Sequence, residues 1–258
     1  MSDTREEVKR RFGAAAQEYV DSPHHAQGES LDRLIALLRP HPSWRALDVA
    51  TGGGHTALAL ARHVREVVAS DLTLPMLRAA ERFITGQGVT NVRFQEADAG
   101  ALPFETASFD VVTCRIAPHH FPDCAAFVRE SGRVTRPGGL VAVIDNVVPE
   151  DSSADAFVNS FEKIRDPSHH RAYTAREWRE FFREAGLFVE HEERFRKSRG
   201  FDRWISMMSV DPETEKRLRA MLLGADGTAR LHLQPEGEGE SLRFYLEEIM
   251  LIARRARQ

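Results

Sequence analysis

An acid, two glycines and a run of helix-forming residues follow one another within LDVATGGGHTAL, residues 47 to 58. Asp48 lies in a short apolar segment, and Gly52 and Gly54 come shortly before the helix-forming run that begins at His55. Glycines let a backbone turn sharply and approach a ligand closely because they carry no Cβ, and the first N–H groups of a helix have no partner within it. These residues predict a strand, a loop and a helix that together bind a nucleotide-type cofactor.

The glycine spacing alone is compatible with two kinds of cofactor. Gly52-x-Gly54-x-x-Ala57 fits the G-x-G-x-x-G/A pattern of dinucleotide-binding proteins, and Asp71 follows about 20 residues later, where an acid binds ribose hydroxyls. This interpretation predicts an NAD-dependent oxidoreductase. Asp48 favours a different cofactor, because a carboxylate at the mouth of the loop attracts an ammonium group and repels a pyrophosphate. A third interpretation makes Asp48 a strand-end acid that accepts hydrogen bonds from the loop amides.

The pattern Asp48-x-x-x-Gly52-x-Gly54 resembles motif I of the class I S-adenosylmethionine (SAM) methyltransferases. Later segments extend this resemblance over nearly the whole chain. Asp71, at the end of VVASD, matches the acid that accepts hydrogen bonds from both ribose hydroxyls, and Asp98, in QEADA, matches the acid that accepts from the adenine amino group. The resemblance implies SAM as the cofactor. The predicted cofactor-binding residues are Asp48, Ala50, Thr51, Gly52, Gly54, Asp71, Leu72, Asp98, Ala99, Arg115, Tyr19 and His25.

Two further segments, CRIAPHHF at 114–121 and RDPSH at 165–169, make the chain most similar to the ubiquinone/menaquinone C-methyltransferase-type group (methyltransferase type 11) and its uncharacterised bacterial relatives. The chain differs from the common motif I at Ala50 and Thr51, where glycine and cysteine are usual, and Ala50 narrows the space near the methionine moiety. The resemblance implies a doubly wound, Rossmann-like α/β fold whose seven-stranded sheet is mostly parallel and ends in an antiparallel hairpin. It also implies methyl transfer to a small acceptor, which we expect to be apolar or aromatic.

Candidate catalytic residues follow the fourth predicted strand, where cofactor and acceptor would meet. His119 and His120 could each act as a base near neutral pH; alternatively, one bonds the backbone or packs on the adenosine while the other faces solvent. Arg115 could bind the cofactor carboxylate or an anionic substrate, or form a surface ion pair. Displacement at a sulfonium requires no catalytic dyad. A SAM-binding protein that does not methylate, or an enzyme of pericyclic or decarboxylative chemistry on the same fold, therefore stays an alternative.

Strands and helices alternate from residue 45 onward, as in a doubly wound sheet. We expect residues 1–40 to form a helical N-terminal cap, whose connector with Tyr19 and His25 covers the cofactor as a lid. Residues 41–258 are expected to form the SAM-binding domain. The predicted strands are 45–50, 66–71, 92–97, 109–116 and 140–148, and the predicted helices between them are 56–63, 74–85 and 122–134.

Beyond residue 150 the pattern predicts helices on the substrate side of the sheet. Residues 150–172 and 200–224 are expected to be helical insertions, and Thr174-x-x-Glu177 has the form of a capping box that opens another helix. The remaining predicted strands are 187–194, 230–233 and 242–252.

Composition narrows the classes of partner. The chain has 258 residues, a formal net charge of −4 and two cysteines, Cys114 and Cys124. The charge disfavours a nucleic-acid partner. Because there is no apolar run of about 18 residues and no signal-like N-terminus, we expect a cytoplasmic protein without membrane insertion or a disulfide. Three His-His pairs lack a Cys or carboxylate at ligand spacing, so no metal is expected. The expected partner is a small-molecule acceptor, and a homodimer is left open.

Overall fold

A mostly parallel sheet forms the centre of the computed structural model, which describes residues 29–208 and 210–257. In chain order the strands are β1 (Arg45–Val49), β2 (Glu66–Asp71), β3 (Val92–Glu96), β4 (Phe109–Arg115), β5 (Thr135–Val148), β6 (Tyr173–Thr174), β7 (Leu187–Gly200) and β8 (Arg243–Arg255). Their order across the sheet is β3-β2-β1-β4-β5-β8-β7, and the two-residue β6 pairs with β5 off this path. β1 to β5 run parallel, and β8 is antiparallel to both β5 and β7.

Helices surround this sheet. In chain order they are α1 (Glu29–Leu38), α2 (His55–Ala61), α3 (Leu74–Gly86), α4 (Cys124–Val134), α5 (Ser152–Arg165), α6 (Ala175–Glu184), α7 (Phe201–Ser206), α8 (Pro212–Leu223) and α9 (Gly227–Leu233), with short 3₁₀ turns at Pro118–His120 and Gly239–Ser241. Within the described ranges, no helix is long and apolar enough to cross a membrane.

Apolar side chains alternate between the two faces of the sheet, and helices cover both faces. On one face Leu47 packs in a cluster with Phe127 of α4 and Trp178 of α6. On the other face Ala46 belongs to a cluster with Leu34 of α1. Because both faces are covered, the central strands are almost continuously apolar, and each large apolar side chain buried in this way contributes about 1.5–3 kcal/mol.

A third apolar cluster lies outside these two layers. Phe161 of α5, Trp204 of α7, Leu218 of α8 and Leu233 of α9 pack together with Phe244 at the start of β8. The rings of Phe161 and Trp204 stack with their centroids 4.8 Å apart. Helices α5, α7, α8 and α9 therefore share a core of their own, which we call the insertion core.

The sequence predicted the parallel part of the sheet closely. β1 to β4 are each at most one residue shorter than predicted, whereas β5 begins earlier, at Thr135. The capping box is confirmed, since the Thr174 hydroxyl accepts from the N–H of Glu177 and the Glu177 carboxylate accepts from the N–H of Thr174. Tyr19, His25 and most of the predicted N-terminal cap lie outside the described residues.

The prediction of a strand at 230–233 is wrong, because this segment lies in α9. The buried residues of α9 are Ala229, His232 and Leu233, and their spacing of three and four residues places them on one face of a helix. No strand can be added to β8, since β5 and β7 pair with its two edges. The strand predicted at 187–194 is the longer β7, and it forms the antiparallel pair with β8.

Gly54 is required by both its conformation and its packing. It has a φ of +87°, and a Cβ there would lie 2.9 Å from Cδ1 of Ile84 and 3.1 Å from Cβ of Ala80. We expect Gly54→Ala to lower the free energy of unfolding by about 2–4 kcal/mol, through left-handed strain and overpacking. Urea denaturation measures this loss.

The matched control is Gly52→Ala. Gly52 also has a positive φ, +53°, but a Cβ there meets no atom within 4 Å. This variant should therefore lose only the strain of about 1 kcal/mol, and equal losses in the two variants would contradict the packing role of Gly54.

Candidate functional site

The residues that follow β1, β2, β3 and β4 surround a cavity of about 300 Å³, which we call the first cavity. Because these four strands are adjacent and parallel, their carboxyl ends meet at one edge of the sheet. Most of the predicted cofactor-binding residues line this cavity. They are Asp48, Ala50, Thr51, Gly52, Asp71, Leu72, Asp98, Ala99 and Arg115. Gly54 does not line it; it packs behind the loop, against Ala80 and Ile84.

Asp48 is buried beneath the glycine loop, with 1% of its surface exposed. Its Oδ2 accepts a hydrogen bond from the Thr51 hydroxyl at 2.7 Å, and its Oδ1 accepts one from the Thr113 hydroxyl at 2.8 Å. Burial raises the pKa of Asp48 to about 6, although the two hydroxyls and Arg115 oppose this shift. Asp48 therefore joins β1, the loop and β4 while it borders the first cavity.

Two residues with side chains adopt a left-handed backbone at the edge of the first cavity. Ala50, after β1, has a φ of +52°, and Ile116, after β4, has a φ of +54°. This conformation costs about 1–2 kcal/mol for a residue with a Cβ, and it persists only where the surrounding contacts fix the backbone. The bend at Ile116 leads into the 3₁₀ turn that carries His119 and His120.

Asp71 connects the end of β2 to the glycine loop. Its Oδ2 accepts from the N–H of Gly52 at 3.1 Å, and its Oδ1 accepts from the N–H and the hydroxyl of Thr73, both at 3.0 Å. Burial raises the pKa of Asp71, and these hydrogen bonds oppose the shift. After β3, Oδ1 of Asp98 accepts from the N–H of Gly100 at 2.8 Å. Both carboxylates thus have fixed orientations at the cavity wall.

His119 and Asp145 form a buried pair, and Nδ1 of His119 lies 2.6 Å from Oδ1 of Asp145 on β5. A carboxylate only accepts hydrogen bonds, so Nδ1 carries the hydrogen, and Nε2 holds the lone pair of the neutral ring. Burial opposes a charge on His119, but the Asp145 carboxylate outweighs burial, and the pKa of His119 is raised above its usual 6.5. Burial and the Asp145 carboxylate thus fix the orientation of the His119 ring.

His120 stays neutral beside this pair. Its ring lies 4.1 Å from that of His119, and its Nδ1 is 3.1 Å from the carbonyl oxygen of Ser168. Burial and the charge of His119 lower the pKa of His120 to about 3. The loop with Ser168 is bound to the same turn, because the N–H groups of His170 and Arg171 donate to the carbonyl oxygen of His119 at 2.8 and 3.0 Å.

A second cavity, of about 120 Å³, adjoins the first, and both Ile116 and His120 line the two cavities. The remaining walls come from β5, β7 and β8, from the helices α5 and α7, and from the segments that follow these two helices. Its other polar and charged lining residues are His119, Asn146, Glu162, Arg165, Asp166, His169, Arg199, Arg203 and Glu248. Among the residues that the structure describes, no three His, Cys, Asp or Glu side chains are grouped so as to hold a metal ion.

Four residues near the second cavity were not predicted from the sequence: Asp145, Asn146, Glu162 and Glu248. Asp145 and Asn146 interrupt the apolar run LVAVIDNVV, and an acid inside a buried strand is the signal that could have found them. Glu162 lies among other polar residues of α5, and Glu248 follows a second glutamate in β8, so neither stands out along the chain.

The sheet is parallel, a glycine loop follows its first strand, and acids lie at the ends of neighbouring strands. These features define a nucleotide-cofactor-binding α/β protein. Comparisons with known proteins name the family. Residues 47–143 match the methyltransferase domain family. The uncharacterised methyltransferase YcgJ of Bacillus subtilis is 35% identical over 242 residues, which cover 93% of this chain and 96% of that protein.

Two further similarities agree with this match. A Bacillus halodurans protein assigned as a methyltransferase has a crystal structure with a TM-score of 0.85 and 38% identity, covering 89% of this chain and 100% of the other. The demethylmenaquinone methyltransferase of Roseiflexus castenholzii is 38% identical over 151 residues, 56% of this chain and 62% of that protein. The chain belongs to the SAM-dependent methyltransferases, and SAM is its cofactor. The family membership supports SAM rather than NAD, the other cofactor that the glycine spacing left open.

Asp48 should make the stability of the cofactor-free protein depend on pH. The pKa of Asp48 in the folded protein is about 6, above the usual 3.8. The stabilisation that protonated Asp48 gives the folded state is therefore fully present below pH 3.8 and is lost as the pH rises through about 6. We expect the free energy of unfolding, relative to that of Asp48→Asn, to fall by about 2–3 kcal/mol between about pH 4 and 7. Urea denaturation at both pH values measures this difference.

A control variant separates this effect from the general titration of the protein. Glu105 is exposed, and its replacement in Glu105→Gln should leave the pH dependence of stability as in the wild type. A pH dependence that is the same in Asp48→Asn as in the wild type would remove Asp48 as its source.

Proposed function

We propose that this methyltransferase holds SAM in the first cavity and a small-molecule acceptor in the second, and that His119 accepts the proton of the acceptor. The observation that carries this proposal is the junction of the two cavities at Ile116 and His120. Methyl transfer requires the nucleophile to lie in line with the methyl group, and adjoining cavities provide such an arrangement. The His119–Asp145 pair lies on the acceptor side of the junction.

Acids at neighbouring strand ends would hold the cofactor along the sheet edge. Asp71 already accepts three hydrogen bonds, two on Oδ1 and one on Oδ2, so Oδ2 retains a lone pair for one ribose hydroxyl. Asp98 and Ala99, after β3, would meet the adenine ring. Asp48 and Arg115 border the same cavity beside the glycine loop, where the ammonium and carboxylate of the methionine moiety would lie.

The glycine loop fits a ligand that approaches its backbone closely. A Cβ at Gly52 would meet no atom within 4 Å, so the space beside this residue is open. Ala50 and Thr51 border the cavity on one side and Leu72 on the other. Thr51 also donates its hydroxyl hydrogen to Asp48, so it fixes the loop as well as lining the cavity.

The protein's own groups would then move one proton and exclude water. Bound SAM supplies a methyl group on a sulfonium sulfur. His119 takes the proton of the acceptor on Nε2, and Asp145 orients the ring and stabilises the imidazolium that forms. His120, neutral and hydrogen-bonded to the Ser168 carbonyl, forms part of the wall between the cavities. The buried walls keep water from the reacting atoms.

For the domain organisation, we assign residues 41–258 to one SAM-binding domain. The helical segments within 150–172 and 200–224 lie on its acceptor side, since α5 and α7 contribute Glu162 and Trp204 to the second cavity. The cap assigned to residues 1–40 stays a prediction.

The function is tested by cofactor binding and by turnover. Calorimetry with S-adenosylhomocysteine should give a dissociation constant in the micromolar range or tighter. Incubation with SAM and a library of small molecules, followed by mass spectrometry, should detect S-adenosylhomocysteine only when an acceptor is present. Cofactor binding without turnover across the library would favour the alternative of a SAM-binding protein that does not methylate.

Asp71 gives a direct test of the cofactor site. Asp71→Ala should weaken SAM binding by about 1–3 kcal/mol, because a hydrogen bond from a ribose hydroxyl to a charged group is lost. Calorimetry measures the loss. Glu81→Ala, on the exposed side of α3, is the control and should bind SAM as the wild type does. An unchanged affinity in Asp71→Ala would remove this residue from the site.

Asp145 is a positioning residue whose effect is visible in pH profiles. A base must be unprotonated to act, so turnover should rise with pH through the raised pKa of His119. Asp145→Asn should lower that pKa, move the profile to lower pH and reduce the maximal rate about tenfold to a thousandfold. NMR titration of the imidazole of His119, assigned with His119→Gln, measures the pKa without an acceptor. A profile that does not move would exclude the role of Asp145.

A further inference from the structure

The second cavity contains buried oxygen atoms that lack a donor. Oε1 of Glu162, Oε2 of Glu248 and Oδ1 of Asn146 are each buried without a hydrogen-bond partner among the described residues. Glu162 and Glu248 are 6% and 5% exposed, and all three residues line the cavity. A buried acceptor without a donor costs about 1–3 kcal/mol, and more when it is charged. A fold retains this cost most readily where a ligand supplies the missing donors.

Two of these oxygens come from neighbouring positions on adjacent strands. Asn146 of β5 is paired directly with Glu248 of β8 in the antiparallel ladder. Residues paired in this way have Cβ atoms about 4.5–5.5 Å apart, so one polar group could reach both side chains. Glu162 belongs to α5, on another wall of the same cavity.

Two of the three arginines that line the second cavity, Arg165 and Arg199, are engaged by protein groups. Nε of Arg165 donates to the carbonyl oxygen of Trp204 at 2.9 Å, and its guanidinium lies 4.5 Å from the centre of the Trp204 ring. Arg199 lies 3.8 Å from Oε1 of Glu248, which leaves the other oxygen of that carboxylate for a ligand. The three buried oxygens of this cavity therefore lack a hydrogen-bond donor, which a bound molecule can supply.

The geometry points to a small polar acceptor that presents at least two hydroxyl or amine hydrogens, one to the Asn146–Glu248 pair and one to Glu162. This inference rests on the proposed function and names its substrate class. It differs from the apolar or aromatic acceptor that the resemblance implied, because Glu162, Glu248 and Asn146 would be left buried without donors against an apolar molecule.

An acceptor of this class also provides the atom that reacts. An oxygen or nitrogen of the acceptor bonds to the methyl carbon while the carbon–sulfur bond breaks and its electron pair stays on sulfur. The proton of that oxygen or nitrogen goes to Nε2 of His119. The products are the methyl ether or methylamine, neutral S-adenosylhomocysteine and a protonated His119, so this class predicts methylation on oxygen or nitrogen.

Paired fragments test the inference without knowledge of the natural acceptor. Each pair contains a molecule with free hydroxyl or amine groups and the same molecule methylated at those atoms, such as catechol with 1,2-dimethoxybenzene and ethanolamine with its fully methylated form. Binding is measured by saturation-transfer NMR on the full chain, with and without S-adenosylhomocysteine. We expect the unmethylated members to bind and their methylated partners to bind at least about tenfold more weakly, which corresponds to about 1.4 kcal/mol.

Two conservative variants locate the binding. Glu162→Gln and Glu248→Gln keep the side-chain shape but remove the charge, and each should weaken the unmethylated fragments about tenfold, since hydrogen bonds to charged groups are the stronger kind. Both variants should bind S-adenosylhomocysteine with unchanged affinity, which also shows that they are folded. Glu105→Gln, exposed and outside both cavities, is the control.

The outcomes separate this inference from the proposed function. Equal or tighter binding of the methylated fragments, no binding of any unmethylated fragment, or fragment binding that neither variant changes would overturn the acceptor class while leaving the SAM site intact. A wild-type protein that fails to bind S-adenosylhomocysteine would instead overturn the proposed function, and the paired preference measured without cofactor would still decide the chemistry of the second cavity.

Discussion

The buried carboxylate of Asp48 is the contact on which the rest of the structure depends. It lies on the central strand β1 and accepts hydroxyl hydrogens from Thr51 in the loop and from Thr113 directly across on β4. The loop is fixed a second time, through the N–H of Gly52, by Asp71 at the end of β2. Three adjacent strand ends and the glycine loop are thus held in one arrangement. This arrangement requires a buried carboxylate, and its desolvation costs free energy. The raised pKa of Asp48 reflects that cost.

The two cavities differ in the charged and hydrogen-bonding side chains that line them. The first has its acids at strand ends, each satisfied by nearby hydroxyl or N–H groups, which suits a ligand held in one fixed position. The second contains three imidazoles and the carboxylates of Glu162, Asp166 and Glu248, and among the imidazoles only His119 has a raised pKa. Burial and the charge of His119 lower the pKa values of His120 to about 3 and His169 to about 2. Three similar side chains thus differ in pKa because only His119 contacts a carboxylate of β5.

The sequence predicted best what depends on local order along the chain. Asp48, Gly52, Gly54 and Asp71 stand at fixed distances within strand–loop–helix units, so their positions follow from the pattern of the units alone. The pair of His119 with Asp145 depends on β4 and β5 lying side by side, and no spacing along the chain reports this. The segment 242–252 could be strand or helix by its period alone, and it forms most of the strand β8, which β5 and β7 pair on both edges. The segment 230–233 was predicted as a strand and lies in a helix, because no edge of β8 is left for it.

The insertion core also affects which residues of this chain can change during evolution. Phe161, Trp204 and Phe244 pack with one another rather than with the layers that carry the cofactor loop. The loop that follows α5 contacts the turn with His119 through the backbone, where His170 and Arg171 donate to the carbonyl oxygen of His119, and through the ring of His169, whose centroid lies 5.5 Å from that of the His119 ring. The apolar side chains of the insertion core can therefore be exchanged during evolution without a direct effect on the layers that carry the cofactor loop. New acceptor specificities would arise in this fold through substitutions in the insertion core, while the layers that carry the cofactor loop stay unchanged.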